Sequence, residues 1–221
     1  MMSRLPISDV TWKQLVQCNQ RAVTEGWASP GVFATGIGPD YGLRKQLALL
    51  YVGKSAGPLG DRVGSNANQA MSVAASTKWM IEKRNKSAFW QMVDLIDPSR
   101  RHIAWTNICK MDELGGSRPP PMHRWQRIVE PHRMALKEEI AFLSPRVILF
   151  ATSGYCGETI SHLLEELGYR TQAVNFRDGY TKLAATSGGA FAIETRHPQG
   201  WPSIERNRVV ELARKLLHQP T

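Results

Sequence analysis

Two short, uninterrupted apolar runs, Leu47-Ala48-Leu49-Leu50-Tyr51-Val52 and Val147-Ile148-Leu149-Phe150, constrain this chain more than any other feature. A strand with one wet face alternates apolar and polar residues. A strand that is apolar at every position is buried on both faces, as in parallel sheets covered by helices on either side. Ile103 to Asn107 and Ala190 to Thr195 complete a set of four strands, and Arg170 to Asn175 offers a further one. Between them, apolar spacing predicts helices over Asn66–Lys83, Ser87–Ile96, His123–Leu143, Gly157–Leu167 and Ser203–His218. An N-terminal helix from Ser8 to Glu25, capped by Ser8 or Asp9, precedes a Gly/Pro-rich segment through Tyr41. This alternation predicts the α/β class: a central four-stranded, mostly parallel sheet sandwiched between helices in three layers. Residues 1–221 read as a single domain, with 1–45 a helical and loop extension packed on it.

A chain of 221 residues is long enough to bury a sizeable core. Its 28 Lys and Arg against 19 Asp and Glu leave a net charge of +9 and a pI near 9.7. That imbalance points to an acidic partner, with nucleic acid foremost, and argues against free neutral nucleosides as substrate. Cys18, Cys109 and Cys156 are too few and too scattered for a disulfide framework or a Cys-x-x-Cys metal site, and read as free thiols in a reducing compartment. No apolar leader region and no membrane-length apolar window is visible, so a soluble, cytoplasmic, monomeric protein is expected.

In an open parallel sheet, ligands bind in the crevice at the carboxyl ends of the strands. Four such ends are rich in small, polar or basic residues: Gly53-Lys54-Ser55-Ala56-Gly57-Pro58, Thr106-Asn107-Ile108-Cys109-Lys110, Ala151-Thr152-Ser153-Gly154 and Arg196-His197-Pro198-Gln199-Gly200-Trp201. Gly53-Lys54-Ser55 does not close a nucleotide phosphate loop. That motif needs a glycine where Ala48 stands and a loop where the strand runs directly into Gly53.

Taken in order, these ends resemble the uracil-DNA glycosylase superfamily, in which a glycine-rich turn follows the first core strand and a His-Pro loop follows the last. The resemblance spans Leu47 to Leu217. Trp105-Thr106-Asn107-Ile108-Cys109-Lys110 is similar to the Thr-Asn-x-x-Lys strand end of the iron–sulfur branch. Asp61-Arg62-Val63-Gly64 and Pro119-Pro120-Pro121 look like that branch's Asp-Arg-x-Gly and Pro-rich stretches. The four cluster cysteines are missing, so no cluster, metal or other cofactor is expected.

The resemblance implies a monofunctional DNA glycosylase that flips uracil or a modified pyrimidine out of DNA and hydrolyses its N-glycosidic bond, as in base-excision repair. Asn107 would read the base edge and His197 would stabilise charge on the departing base. Backbone groups of Gly53, Ala56 and Gly57, with Ser153, would bind the substrate. Relatives carry an acid or amide in the first motif, where this chain has Lys54 and Ser55. Asp61, the nearest acid downstream, is then the first candidate for water activation. Lys54 would bind a phosphate, stabilise the leaving base or attack the sugar as an amine. Trp201 is either an apolar wedge for the vacated stack or core packing. Gln199, Arg196, Lys110, Arg118 and Arg124, with Arg100, Arg101 and Arg127, flank the active edge as candidate phosphate contacts.

Gly57 stands where the most uracil-selective relatives place a tyrosine against pyrimidine C5, and Ser65-Asn66-Ala67-Asn68 is small and polar where a stacking aromatic is usual. A larger pocket admits a second reading, excision of bulky 5-modified cytosine or uracil from phage DNA in antiviral defence. A third, of another class, is a non-catalytic DNA-binding module on the same fold. In Gly57→Tyr, activity on 5-substituted pyrimidines is expected to fall at least about tenfold more than activity on uracil, whereas Gly57→Ala lowers both alike. Single-turnover rates on paired oligonucleotides measure the ratio, and equal losses in the two variants would reduce Gly57 to a backbone hinge.

Overall fold

The computed structural model describes residues 5–44, 47–55, 68–82, 87–114, 119–173, 176 and 178–219. Within them the chain runs α1 (Asp9–Thr24), β1 (Gly36–Ile37), β2 (Leu49–Ser55), α2 (Gln69–Glu82), α3 (Ala88–Ile96), β3 (Ile103–Cys109), α4 (Met122–Leu143), β4 (Val147–Ala151), α5 (Gly157–Glu166), β5 (Arg170–Thr171), β6 (Lys182–Ala185), β7 (Phe191–Thr195) and α6 (Ser203–Leu217). Ser8 caps α1 as its sequence implied, its hydroxyl accepting from the Thr11 N–H at 3.3 Å.

The strands form one sheet in the order β1-β3-β2-β4-β7-β6-β5. The four strands expected from their apolar runs are neighbours, and β3, β2, β4 and β7 are parallel. The expectation of a four-stranded, mostly parallel sheet is nevertheless corrected: the sheet has seven strands and is mixed. Antiparallel β1 lies beyond β3, and antiparallel β6 and β5 extend the other edge. The added strands are two to four residues long, too short to carry a periodic signal. Gly36–Ile37, from the N-terminal segment, pairs with Trp105 and Ala104 of β3. Of the strand expected over 170–175, Arg170–Thr171 forms, and residues 174 and 175 lie outside the described residues.

Alternation along each strand divides the core in two. Leu49, Tyr51, Trp105, Leu149 and Ile193 face Met80 of α2, Trp90 and Val93 of α3, and Val209, Val210 and Ala213 of α6. Leu50, Val52, Ala104, Ile148 and Phe150 face Trp125, Ile128, Leu136 and Ile140 of α4 and Ile160 and Leu163 of α5. Helices therefore cover both faces. A smaller cluster joins Trp12 and Leu15 of α1 to Val32, Ala34 and Ala135.

The second face also encloses charge. Lys110 and Glu139, both without solvent exposure, pair at 2.5 Å. Glu139 further accepts from Thr106 Oγ1 at 2.9 Å and from the Thr35 hydroxyl, while the Lys110 N–H donates to His132 Nδ1 at 2.9 Å. Strand β3, helix α4 and the segment before β1 are thus tied by one buried network. Removing one partner strands the other charge, so Glu139→Ala is expected to lose about 3–5 kcal/mol of stability. Urea unfolding followed by tryptophan fluorescence measures it, and Lys110→Met/Glu139→Leu should recover most of the loss.

Candidate active site

From β2 the chain crosses to β3 on one side and later to β4 on the other, so the strand order reverses at β2. Such a switch point opens a crevice at the strand carboxyl ends. The end of β2, Gly53-Lys54-Ser55, lies between Asn107 on β3 and the turn Thr152-Ser153-Gly154 after β4, and β7 runs into Arg196-His197 beside it.

Gly53 and Asn107 are register partners. A Cβ on Gly53 would collide with the Asn107 amide and come within 3.2 Å of the Phe89 ring, so this close approach requires glycine. Asn107 is buried. Its amide satisfies its surroundings with Nδ2 directed at the carbonyls of Ser55 (3.1 Å) and Thr106 (3.3 Å). Both amide hydrogens are then engaged.

His197 is held from both sides of its loop. Its backbone N–H donates to Ser153 Oγ at 2.6 Å, and Ser153 adopts a left-handed φ of 54° that the turn imposes. The Gln199 N–H donates to Nδ1 of the imidazole at 3.3 Å, which puts the proton of the neutral ring on Nε2. Burial first and the Lys54 charge second hold the His197 pKa down to about 4, so the ring is neutral at pH 7 and offers an Nε2–H donor. Burial also lowers the Lys54 pKa. The imidazole lies nearly parallel to Phe89, 21° between planes and 5.8 Å between centroids, and Phe89 packs in turn on Tyr51 at 4.3 Å.

The structure thus gathers Gly53, Lys54, Ser55, Asn107, Ser153 and His197 at one sheet edge, with Ser153 and Ser55 holding other site residues in place. Phe89 was missed, and its only signal was an aromatic pair, Phe89-Trp90, in the first turn after Ser87. Arg196 and Gln199 are exposed beside the site, Arg196 lying 5.2 Å over the Tyr180 ring. Asp61, Ala56, Gly57 and Arg118 lie outside the described residues.

The expectation of phosphate contact is corrected for Lys110 and Arg100, and of the two readings of Trp201 core packing holds. Lys110 does not face phosphate: it has no solvent exposure, because its side chain turns toward α4 and pairs with Glu139. Trp201 is not an exposed wedge. It is 8% exposed, its ring packs in the α6-side core, and its backbone N–H donates to the Pro198 carbonyl at 3.2 Å, closing the His-Pro turn. Arg100 is likewise buried, paired with Asp94 at 2.7 Å and stacked over Trp90. Arg101, Arg124 and Arg127 each hold a carboxylate, of Asp40, Glu113 and Glu25. Among the described residues no three His, Cys, Asp or Glu side chains converge as metal ligands, and no helix is long and apolar enough to cross a membrane.

His197 and the buried His132, whose pKa is pulled down to about 3 chiefly by burial, are both held below the usual imidazole value. Below pH 6.5 the unfolded chain takes up protons that the fold refuses, so their contribution to stability is intact above that pH and drains as pH falls toward 4 and 3 respectively. Urea unfolding between pH 7 and 4.5 is expected to show this loss, with a shallower slope in His197→Asn. NMR of the His197 ring should show it neutral, with the Nε2–H tautomer, at pH 5.5.

No protein-family model matches this chain, and the comparison with curated proteins finds no match.

Proposed function

We propose that this chain is a DNA glycosylase that draws a uracil or modified pyrimidine into the crevice at the ends of β2, β3, β4 and β7 and hydrolyses its N-glycosidic bond. The observation that carries this reading is a neutral imidazole whose Nδ1 accepts from Gln199 and whose proton is therefore on Nε2, set at the strand carboxyl ends with the Asn107 amide and the close-packed Gly53. A base inside a duplex is out of reach of such a site, so extrusion is part of the mechanism. Asn107 Oδ1 accepts from a ring or exocyclic N–H of the base, and Phe89 offers an aromatic surface next to His197.

As the C1′–N bond breaks, its electron pair moves to the base and charge builds on a ring carbonyl oxygen. His197 Nε2–H donates to that oxygen without first having to lose or gain a proton. Water adds to C1′ and gives up a proton, for which Asp61 is the proposed acceptor. The products are a free base and an abasic site. The basic surface serves strand binding.

The test is a panel of uracil-containing oligonucleotides and 5-modified phage DNA, scored for free base and alkali-labile sites. Wild type is expected to release base from at least one member, and His197→Ala and Asn107→Ala each to slow single-turnover release at least about tenfold while remaining folded. Intact DNA binding without base release from any member would instead favour a binding module.

A further inference from the structure

The bond from the His197 backbone N–H to Ser153 Oγ, at 2.6 Å, joins the loop after β7 to the turn after β4. That turn is strained, because Ser153 and Gly154 are both left-handed, with φ of 54° and 72°. Glycine adopts this conformation freely, whereas serine holds it only where its surroundings fix it. One support comes from β7: the N–H groups of Thr152 and Ser153 both donate to the Thr195 carbonyl, at 3.2 and 3.1 Å.

A second support comes from residues 178–181, just before β6. The Asp178 carboxylate closes this segment, accepting from the Tyr180 and Thr181 N–H groups at 3.0 and 2.9 Å and from the Thr181 hydroxyl at 2.6 Å. Thr181 Oγ1 lies 3.2 Å from Thr195 Oγ1, which ties the segment to the same residue of β7. Tyr180 is thereby set, half-buried, between two neighbours. Its hydroxyl fills the space that a Cβ on Gly154 would take. Its ring carries the Arg196 guanidinium, 5.2 Å from the centroid. Gly154 follows Ser153 and Arg196 precedes His197, so Tyr180 touches the residue next to each partner of the Ser153–His197 bond.

We propose that Tyr180 is the positioning residue of the His197 loop: its hydroxyl braces the Gly154 turn and its ring seats Arg196, clamping the Ser153–His197 bond between them. That His197 acts on a departing base and that Arg196 meets a nucleic-acid strand rests on the glycosylase reading, whereas the clamp does not. Tyr180 thus acts on the reaction only through these two neighbours.

The test compares wild type, Tyr180→Phe, Tyr180→Leu, Arg196→Gln and the double variant Tyr180→Leu/Arg196→Gln. Amide hydrogen exchange by NMR reads the His197 N–H directly. It is expected to speed up about tenfold in both Tyr180 variants, which lose the hydroxyl, while the Ile148 and Ile193 amides of the central strands keep their wild-type rates. Anisotropy of a labelled single-stranded oligonucleotide reads Arg196. Tyr180→Phe keeps the ring and should bind as wild type does; Tyr180→Leu and Arg196→Gln should each bind about threefold more weakly, and the double variant no more weakly than Arg196→Gln. Single-turnover base release at saturating enzyme should slow about fivefold in Tyr180→Leu. Unchanged His197 exchange in both Tyr180 variants, or an equal rise at every amide, would overturn the clamp. Additive losses in the double variant would overturn the seating of Arg196. Faster His197 exchange with base release at the wild-type rate would overturn the positioning role. If wild type releases no base yet His197 exchange responds to Tyr180, the glycosylase reading falls and the clamp stands. Base release from wild type with His197 exchange silent to Tyr180 is the reverse.

Discussion

The buried pair of Lys110 and Glu139 is the contact on which the rest of the architecture depends. Two charges withdrawn completely from water cost several kcal/mol each unless they meet in good geometry. Meeting requires the end of β3, the middle of α4 and Thr35 to come together in one arrangement. His132 extends the tie by accepting from the Lys110 N–H. Asn107 sits between Thr106 and Lys110, so the strand end that carries it is held by groups on the opposite face of the sheet.

That division of faces organises the chemistry. Thr106 faces α4 and the enclosed network, while Asn107, one residue on, faces Gly53 and Phe89. One side of the sheet binds charge to charge inside the fold. The other leaves an imidazole that burial first and the Lys54 charge second keep neutral. Among the described residues several arginines are consumed by internal pairs, while Lys54 ends β2 at the crevice and Arg196 is exposed beside it.

Much of the layout was legible because burial on both faces leaves a continuous apolar run. Hence β2, β3, β4 and β7, and the helices between them, fall close to their expected bounds. The short antiparallel edge strands were not, since two to four residues hold no period and their pairing is decided by what the edge offers. At the site, Gly53, Lys54, Asn107, Ser153 and His197 could be picked out by their place after strands. Lys110 and Trp201 occupy equally suggestive places and proved to be core. A one-dimensional position after a strand tells which end of the sheet a residue reaches, but not whether its side chain turns inward.

The α/β class, the order of the central elements, the end of the sheet where polar and glycine residues collect, and the positive charge are all legible along the chain, because periodicity and composition are local properties. Contacts between distant segments alone settle that Lys110 meets Glu139, 29 residues away, that the Phe89 ring lies against His197, and that Arg124 is held by Glu113. They also settle that His197 is neutral. Protonation follows from burial and from the charge of Lys54, and both exist only once strands far apart in sequence lie side by side.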